Sequence, residues 1–264
     1  MNFDALIRNI RRSRAVTRNA RDRLKYLWWL YGSSLPFRPQ FLKIKVVLDA
    51  PIGTLMIKVR CKTGADYFIF SEVFEHGYYD LPLNCVPRTV LDLGANIGLT
   101  ALYFARMYPT AELACVEPMP ENLALLESNL ADNRVNATVH GAAISITDAP
   151  IKMQRARLAY GSKPAEIPYG ARVDGETVEV RGVSILSLMH QLGWSRIDLV
   201  KIDIEGYEAI LLRENASWLK SVDNLCIEIH EGFSERELRD VAAQWGFKAP
   251  RRLAGTWLVS RGPN

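Results

Sequence analysis

Long apolar runs, paired cysteines and internal repeats are missing from this chain of 264 residues, and each absence removes a class of protein. No stretch approaches the ~20 apolar residues of a membrane-spanning helix, and the first residues lack the apolar core and cleavage site of a signal peptide. The four cysteines form no Cys-x-x-Cys pair, and Cys115 and Cys226 lie within apolar runs typical of buried strands. These features predict a cytoplasmic protein rather than a secreted or membrane-spanning one.

Composition and charge divide the chain into a body and a basic first segment. Hydrophobic residues make up 48% and charged residues 23%, as in one large globular domain with a full core. Residues 1–45 hold eleven arginines and lysines against two aspartates, a net charge of +9, which leaves the rest of the chain at −5. We predict three parts: a basic amphipathic segment over residues 1–40, a β-rich lead-in over 41–87 and a main domain over 88–264.

The basic segment carries apolar residues among its arginines at loosely helical spacing. They are Leu6, Ile7, Ile10, Val16, Leu24, Leu27 and Trp28. Two interpretations are open. The segment is a helix that lies on an anionic membrane surface, making the protein membrane-peripheral, or a helix that packs on the domain and exposes its arginines. No aromatic-basic interleaving or known reader motif supports nucleic acid as a partner.

In the lead-in, apolar and polar side chains alternate every second residue. Residues 41–70 alternate apolar and polar side chains in "LKIKVVL", "TLMIKVR" and "DYFIF" around the turn "APIG". This alternation is typical of strands with one buried face. We therefore predict short antiparallel strands at all three places.

From Thr89 onward, short apolar runs alternate with helical stretches, the pattern of a parallel sheet covered by helices. The predicted strands are "TVLDL", "AELACVE", "ATVHGA", "IDLVKID" and "NLCIEIH", and the predicted helices cover about residues 97–108, 120–132, 184–192, 206–214 and 235–245. Ser234 and Glu237 predict a capping box for the last helix, which Gly246 ends. The segments "FKA" and "TWLVS" predict a final antiparallel hairpin.

The stretch "VLDLGANIG" places a glycine-rich turn between a strand and a helix. Free backbone N–H groups and the positive end of the helix then lie at the carboxyl edge of the sheet, where open α/β sheets bind ligands. A dinucleotide site needs G-x-G-x-x-G, but Asn96 and Ala101 stand where its second and third glycines would be. A nicotinamide dehydrogenase is therefore disfavoured.

Two carboxylates at strand ends narrow the kind of ligand. Asp92 would repel a phosphate and favours a ligand with a positive charge, such as a sulfonium with an amino-acid tail. Glu117, at the end of the next strand, is placed to accept both hydroxyls of an adenosine ribose. Each carboxylate alone is compatible with a helix cap or a solvated strand end. Together with the glycine turn they predict S-adenosylmethionine as the cofactor.

The stretch "IDLVKIDIEGYE" places charged residues on one face of a strand that should be central. Buried charges are costly unless they are paired or used, so we predict an internal ion pair between Lys201 and Glu228 of the next strand. Asp203, Glu205 and His230 should reach the open carboxyl edge, where they are available for chemistry.

In this order and spacing, "VLDLGANIG", "CVEPMPENLALLESNL", "LVKIDIEGYE" and "CIEIH" resemble the FkbM-type methyltransferases, which depend on S-adenosylmethionine. The resemblance covers about residues 66–260, including "SEVFEHGYYDLP". It implies an α/β, Rossmann-like class I methyltransferase fold, with a mostly parallel seven-stranded sheet, a C-terminal antiparallel hairpin and a small N-terminal extension of strands and helices. Members of the family typically methylate hydroxyl groups of sugars, polyketides and other secondary metabolites.

The resemblance also implies roles for individual residues. The methionine part of the cofactor would be held by Asp92, Gly94, Asn96 and Gly98. The ribose would contact Glu117, and the adenine would lie beside Ala142. Ala95 and Pro118 would also bind the cofactor. One of Glu75, Tyr78 and Tyr79 would close over the cofactor, and we expect Tyr79. Asp203 would also touch the cofactor and, with Glu205, border the transfer site.

Methyl transfer to a hydroxyl needs a base that removes the proton as the oxygen attacks. His230 is the side chain best suited to this at neutral pH, with Asp203 to orient it. Two alternatives stay open: Asp203 is itself the base, or Asp203, His230 and Glu231 hold a divalent metal. No spacing enforces that set of ligands, so we predict no metal site. An N-methyltransferase and a non-enzymatic adaptor with the same fold are the rival functions.

The segment 150–182 interrupts the alternation of strands and helices. It carries Tyr160, Tyr169 and the turns "YGSKP" and "IPYGARVDG", and we predict that it forms a lid over the acceptor. The expected acceptor is a small-molecule hydroxyl compound such as a glycoside or a polyketide.

Overall fold

The computed structural model describes residues 3–31, 39–61, 64–156, 161–167 and 173–262. Two helices, a hairpin and a third helix come first: α1 (Phe3–Val16), α2 (Ala20–Tyr31), β1 (Phe41–Val47), β2 (Thr54–Arg60) and α3 (Ala65–Phe74). The next elements are β3 (Thr89–Leu93), α4 (Leu99–Met107), β4 (Glu112–Val116), α5 (Pro120–Asp132), β5 (Thr138–His140) and β6 (Ala143–Ile144). An inserted region then holds β7 (Ile151–Ala156), β8 (Lys163–Pro164), β9 (Val173–Val180) and β10 (Gly182–Val183).

The chain returns to its main alternation with α6 (Ile185–Leu192), β11 (Ile197–Ile202), α7 (Glu208–Arg213) and a short 3-10 turn at Ser217–Ser221. It closes with β12 (Val222–Ile227), α8 (Glu235–Gln244), β13 (Arg251–Arg252) and β14 (Trp257–Ser260). The capping box predicted for α8 is confirmed, because Ser234 accepts the Glu237 N–H while the Glu237 side chain accepts the Ser234 N–H.

Within the described residues, seven strands form one sheet in the order β13–β14–β12–β11–β3–β4–β5. The pairings among β5, β4, β3, β11 and β12 are parallel, and β14 and β13 add antiparallel strands at one edge. This confirms the predicted α/β architecture. The chain builds outward from β3 in one direction through β4 and β5, and in the other from β11 to β12. Ligands bind beside the carboxyl ends of strands at such a switch point.

Apolar residues cover both faces of this sheet. One buried cluster joins the sheet to α4, α5 and the N-terminal elements, and includes Tyr26, Phe70, Phe104 and Leu126. The other joins it to α6, α7 and α8, and includes Leu188, Leu211 and Leu238. A parallel sheet needs this double cover, and its strands therefore read as nearly continuous apolar runs.

The described part of the basic first segment forms two helices, α1 and α2, that pack on the domain. Tyr26 and Trp29 of α2 are buried against α3, and the indole N–H of Trp29 donates to the carbonyl of Arg60 at 3.1 Å. Leu24 and Trp28, which the single-helix pattern placed with the apolar face, are exposed. The chain leaves the helical conformation at residues 17–19, so α2 presents a different set of residues to the domain than one continuous helix would. No helix in the described ranges is both long and apolar enough to cross a membrane.

Two predicted strands are wrong. "DYFIF" lies in helix α3, whose buried residues Asp66, Phe70 and Val73 follow a helical spacing; five residues are too few for alternation to separate the two periods. In the final hairpin the strand that pairs with β14 is Arg251–Arg252 rather than "FKA". Lys248 makes a single backbone hydrogen bond to Ser260 at 2.9 Å, so β13 starts only after Pro250.

The inserted region forms its own small sheet. Strands β8, β7 and β9 lie side by side with antiparallel pairings, and β10 pairs in parallel with β6. This region departs from the main alternation as the sequence predicted. Tyr160 and Tyr169 lie outside the described residues.

Candidate functional site

The glycine-rich turn after β3 is shaped by contacts within the protein. A Cβ atom at Gly94 would lie 1.9 Å from the carbonyl oxygen of Asp203, and one at Gly98 would lie 2.6 Å from Cδ1 of Leu126. Their φ angles, +79° and +85°, are also unfavourable for residues with a side chain. The two glycines are therefore needed where the segment after β11 and helix α5 approach the turn.

A buried ion pair supports the same turn. Lys201 on β11 is the register partner of Asp92 on β3, and its Nζ lies 3.2 Å from Asp92 Oδ1. It also donates hydrogen bonds to the carbonyl oxygens of Gly94 at 2.8 Å and Leu93 at 3.3 Å. Burial lowers the pKa of Lys201, but the charges of Asp92 and Asp203 outweigh this effect and raise the pKa. Lys201 therefore stays charged and ties the turn to β11.

The predicted ion pair between Lys201 and Glu228 is wrong. On β12 the register partner of Lys201 is Cys226, and Glu228 lies beyond the end of that strand. The partner of Lys201 is Asp92 because β3, and not only β12, adjoins β11. Asp92 is fully buried, so its charge is balanced inside the protein.

A cavity that we call the Glu117 cavity lies at the carboxyl end of β4. Glu117 is almost completely buried; its Oε2 accepts the Asn96 N–H at 2.8 Å, and its Oε1 accepts the Met119 N–H at 2.9 Å and the Asn122 amide at 3.1 Å. A carboxylate accepts about four hydrogen bonds, so these three donors leave capacity for a hydroxyl in the cavity. Apolar walls are supplied by Ala142, Ala143, Ile144 and Met153, with Pro118 at the same surface.

A second cavity, the His230 cavity, adjoins the first. The two share four lining residues, which are Gly94, Asn96, Asp203 and Glu205. Ala95 and Tyr79 line the second cavity on the side of the glycine turn, and Glu72 lines it from helix α3. The shared residues place the ends of β3 and β11 at the junction, so one elongated ligand can reach from Glu117 to the neighbourhood of His230.

His230 is held between carboxylates. Its Nδ1 lies 3.0 Å from Oε1 of Glu208, which is fully buried on α7. Its Nε2 faces Asp203 Oδ1 at 3.8 Å, Glu205 Oε2 at 3.8 Å and Glu228 Oε1 at 3.9 Å. Burial lowers the pKa of His230, but the hydrogen bond to Glu208 and the surrounding negative charges raise it to about 10. A protonated imidazole accepts no proton, which weighs against the sequence-based interpretation of His230 as the base.

Negative charge is in excess around this cavity. Burial and the charge of Asp203 raise the pKa of Glu72 to about 7, of Glu205 to about 7 and of Glu228 to about 8. Carboxylates are difficult to ionise together when they share one poorly solvated space. The cavity is therefore suited to a ligand or ion that brings positive charge.

The structure brings most of the predicted site residues together. The Glu117 cavity is lined by Gly94, Asn96, Glu117, Pro118, Ala142, Asp203 and Glu205, and the His230 cavity by Tyr79, Ala95, Asp203, Glu205 and His230. Asp92, on β3 before the turn, and Gly98, at the end of the turn, line neither cavity. Glu75 pairs with Arg12 of α1, and the Tyr78 hydroxyl bonds to Glu72. Glu231 is exposed and outside both cavities.

Sequence reasoning missed Glu72, Asn122 and Glu208. Glu208 belongs to the quoted stretch "IDIEGYE", where its spacing of five residues from Asp203 gave a signal that it returns to the same site. Glu72 belongs to the segment "SEVFEHGYYDLP", which was expected to close over the cofactor, but the residues singled out there were Glu75, Tyr78 and Tyr79. The bond from Asn122 to Glu117 depends on how α5 follows β4.

Comparison with known proteins decides the family. Residues 92–249, more than half of the chain, match the family model described as methyltransferase FkbM domain. The chain belongs to the FkbM methyltransferase family. Methyltransferase sdnD of Sordaria araneosa is 28% identical over 194 residues, covering 62% of this chain and 74% of its own length. The 31-O-demethyl-FK506 methyltransferase FkbM of Streptomyces tacrolimicus is 25% identical over 214 residues, covering 70% and 81%.

Solved structures of methyltransferases are also similar to this FkbM-family chain. A crystal structure of a methyltransferase FkbM from Methylobacillus flagellatus KT matches with a TM-score of 0.47 at 16% identity, over 69% of this chain and 45% of that one. The 16S rRNA methyltransferase RsmC of T. Thermophilus, in complex with AdoMet and guanosine, matches with a TM-score of 0.43 at 13% identity, over 87% and 52%.

The cofactor of this FkbM-family methyltransferase is S-adenosylmethionine. The residues present suit it: Glu117 has free capacity for a ribose hydroxyl, alanine and methionine side chains offer apolar walls for a flat ring, and the carboxylates of the second cavity suit a sulfonium. This cofactor supplies a methyl group activated by the positive sulfur. The protein supplies the binding surfaces and the groups that handle the acceptor's proton.

Proposed function

We propose that this methyltransferase transfers a methyl group to a hydroxyl of a small-molecule acceptor such as a glycoside, a polyketide or another secondary metabolite. The observation that supports the proposal is the junction of the two cavities, where Asp203 and Glu205 are lining residues of both. A hydroxyl is a weak nucleophile, and a carboxylate within reach of its proton meets this need.

In this proposal Asp203, Glu205 and His230 form the catalytic set. His230 has its Nδ1 against Glu208 and its Nε2 among three carboxylates, so its geometry suits a cationic partner of those carboxylates. The base is then a carboxylate, and Glu205 is our assignment because Asp203 is shared with Lys201, whose Nζ lies 3.5 Å from Asp203 Oδ2. Deprotonation by Glu205 would leave the acceptor oxygen free to attack the methyl group.

The relative in Streptomyces tacrolimicus supports an oxygen acceptor, since its name describes a methyltransferase for 31-O-demethyl-FK506. An N-methyltransferase is the rival, because the excess of carboxylates at the His230 cavity would also attract a cationic amine. The inserted sheet supports a role for residues 150–182 as the acceptor lid: the Gly161 N–H contacts Glu205, and Met153 and Pro164 line the Glu117 cavity.

The test is methyl transfer itself. The purified chain is incubated with S-adenosylmethionine carrying an isotopically labelled methyl group and with matched pairs of acceptors that differ only in a hydroxyl or an amine. We expect label on oxygen, located by mass spectrometry. Glu205→Gln should reduce kcat by roughly 10²-fold, the usual contribution of a general base, with the affinity for S-adenosylmethionine close to that of the parent.

Glu231→Gln is the matched control, because it removes the same charge from an exposed residue outside both cavities. It should keep the parent kcat. Label on nitrogen alone would replace the proposal with N-methylation, and full turnover by Glu205→Gln would move the base role to another residue.

A further inference from the structure

The cluster around His230 has the composition of a metal site. Asp203, Glu228 and His230 each offer one ligand atom, and these atoms lie within 4.8 Å of one another. They come from two adjacent parallel strands: Asp203 follows the end of β11, and Glu228 and His230 follow the end of β12. Ligands of an octahedral ion at ~2.1 Å lie ~3 Å apart, so small side-chain rotations would bring these donors to coordination distance.

A second observation concerns how the histidine is held. Metal-binding histidines almost always give their other ring nitrogen to a carboxylate or carbonyl, which fixes the ring and its tautomer. Glu208 does this for His230: it is fully buried, its Oε1 lies 3.0 Å from Nδ1 and also accepts the Ile204 N–H at 2.9 Å. Its Oε2 is buried and has no hydrogen-bond partner among the described residues. Burying a carboxylate with an unsatisfied oxygen costs free energy, and positive charge bound at His230 would offset that cost.

The charges of the cavity point the same way. Four carboxylates line it, from Glu72, Asp203, Glu205 and Glu228, against the two cationic groups of Lys201 and His230. Lys201 already serves Asp92 and two backbone carbonyls behind the glycine turn. Among the described residues, nothing donates a hydrogen bond to the Glu228 carboxylate, and its nearest cationic atom is His230 Nε2 at 3.9 Å.

We propose that Asp203, Glu228 and His230 bind a divalent cation of the Mn²⁺ type beside the transfer site. The ion would displace the proton from His230 Nε2 and take its place as the cation among the carboxylates. Two carboxylate oxygens and one imidazole nitrogen form a mixed oxygen and nitrogen set, which suits Mn²⁺ better than Ca²⁺ or Mg²⁺, whose ligands are oxygens. Three protein ligands leave positions open on the cavity side, where an acceptor hydroxyl can bind. This last step rests on the proposed function, whereas binding of the ion does not.

The proposal replaces the metal set that the sequence left as an alternative. That set contained Glu231, the neighbour of His230 in the sequence. Glu231 is exposed, whereas Glu228 offers a carboxylate oxygen within 4.8 Å of the ligand atoms of Asp203 and His230. With Asp203 on the ion, Glu205 remains the carboxylate free to take the acceptor proton.

The experiment titrates Mn²⁺ into the full chain without cofactor or acceptor and follows the loss of the free-ion signal by electron paramagnetic resonance. We expect one bound ion per chain, and a loss of affinity of at least tenfold in both Glu228→Gln and His230→Gln. Glu231→Gln should bind as the parent does. Thermal melts of each variant in chelator check folding, and Mn²⁺ should raise the melting temperature of the parent but not of a folded ligand variant.

No saturable binding by the parent up to millimolar Mn²⁺ would overturn the proposal and leave the cluster as a cation site for the cofactor or acceptor. Equal binding by the parent and both ligand variants would place the ion elsewhere and overturn it as well. Neither result bears on O-methyl transfer, because the labelled-methyl assay reports that activity whether or not an ion is bound.

Discussion

At the scale of single residues, Lys201 is the most consequential side chain that is not assigned to chemistry. It is 1% exposed, yet it pairs with Asp92 and donates to two backbone carbonyls of the glycine turn. A buried ion pair contributes little net stability over an apolar pair, but removal of one partner leaves the other charge buried and uncompensated. The role of Lys201 is thus to hold Asp92 and the turn in place.

Lys201→Met should therefore lower the free energy of unfolding by about 3–5 kcal/mol, measured by urea denaturation. Lys45→Met, at an exposed lysine of β1, is the control and should change it by less than about 0.5 kcal/mol. Asp92→Asn added to Lys201→Met should recover part of the loss, because it removes the orphaned charge. A single variant Lys201→Met as stable as the parent would show that the pair has no such role.

At the scale of elements, the fold depends on the contact between the turn after β3 and the end of β11. The Asp203 N–H donates to the Leu93 carbonyl at 3.2 Å, while the Asp203 carbonyl occupies the space where a side chain at Gly94 would lie. The same contact carries Asp203 into both cavities. A change at Gly94 consequently alters the site and the packing together.

Gly94→Ala and Gly53→Ala form a matched pair that isolates this contact. Both glycines have positive φ, +79° and +67°, but a Cβ at Gly53 meets nothing within 4 Å. Gly53→Ala should cost only the backbone strain, about 1–2 kcal/mol. Gly94→Ala should cost clearly more in urea denaturation, and calorimetry should show its S-adenosylmethionine binding weakened at least tenfold. Equal losses of stability in the two variants would mean that the backbone at Asp203 moves away from a side chain at Gly94 at little cost in free energy, which would contradict this prediction.

At the scale of the whole molecule, the basic N-terminal helices form part of the core. Trp29 is 2% exposed and makes edge-to-face contacts with Tyr26, Tyr67 and Phe70, whereas the adjacent Trp28 is 40% exposed. Arg12 of α1 extends the contact through its ion pair with Glu75. These contacts tie helices α1 and α2 to α3, and α3 in turn supplies Glu72 to the His230 cavity.

Trp29→Ala should accordingly lower the free energy of unfolding by about 3–5 kcal/mol, as for a buried aromatic side chain, and Trp28→Ala by less than about 1 kcal/mol. Urea denaturation of the two variants gives the comparison. Sedimentation with anionic vesicles tests the membrane interpretation of the segment with the same pair. Loss of vesicle binding in Trp28→Ala alone would support that interpretation, and similar destabilisation by both variants would contradict the packing described here.

The amino-acid sequence by itself determined the fold class and many of the residues that meet at the carboxyl edge of the sheet. Apolar runs such as "TVLDL" and "IDLVKI" are long and continuous enough to indicate buried parallel strands, and the glycine turn with Glu117 marks one edge of the sheet. These are local signals, because each depends on residues a few positions apart. They suffice to gather Gly94, Asn96, Glu117, Asp203, Glu205 and His230 around connected cavities.

Only the tertiary structure decided which charges meet. Lys201 pairs with Asp92 rather than Glu228 because strand order places β3 beside β11, and register sets the two residues opposite each other. His230 contacts Glu208 because α7 follows β11 and returns to the strand ends. Glu72 lies on α3, and the five residues "DYFIF" were too few to show that this segment is a helix. Partner choice depends on strand order, register and helix packing, which join distant parts of the chain, whereas a sequence pattern records only the preference of each segment for burial.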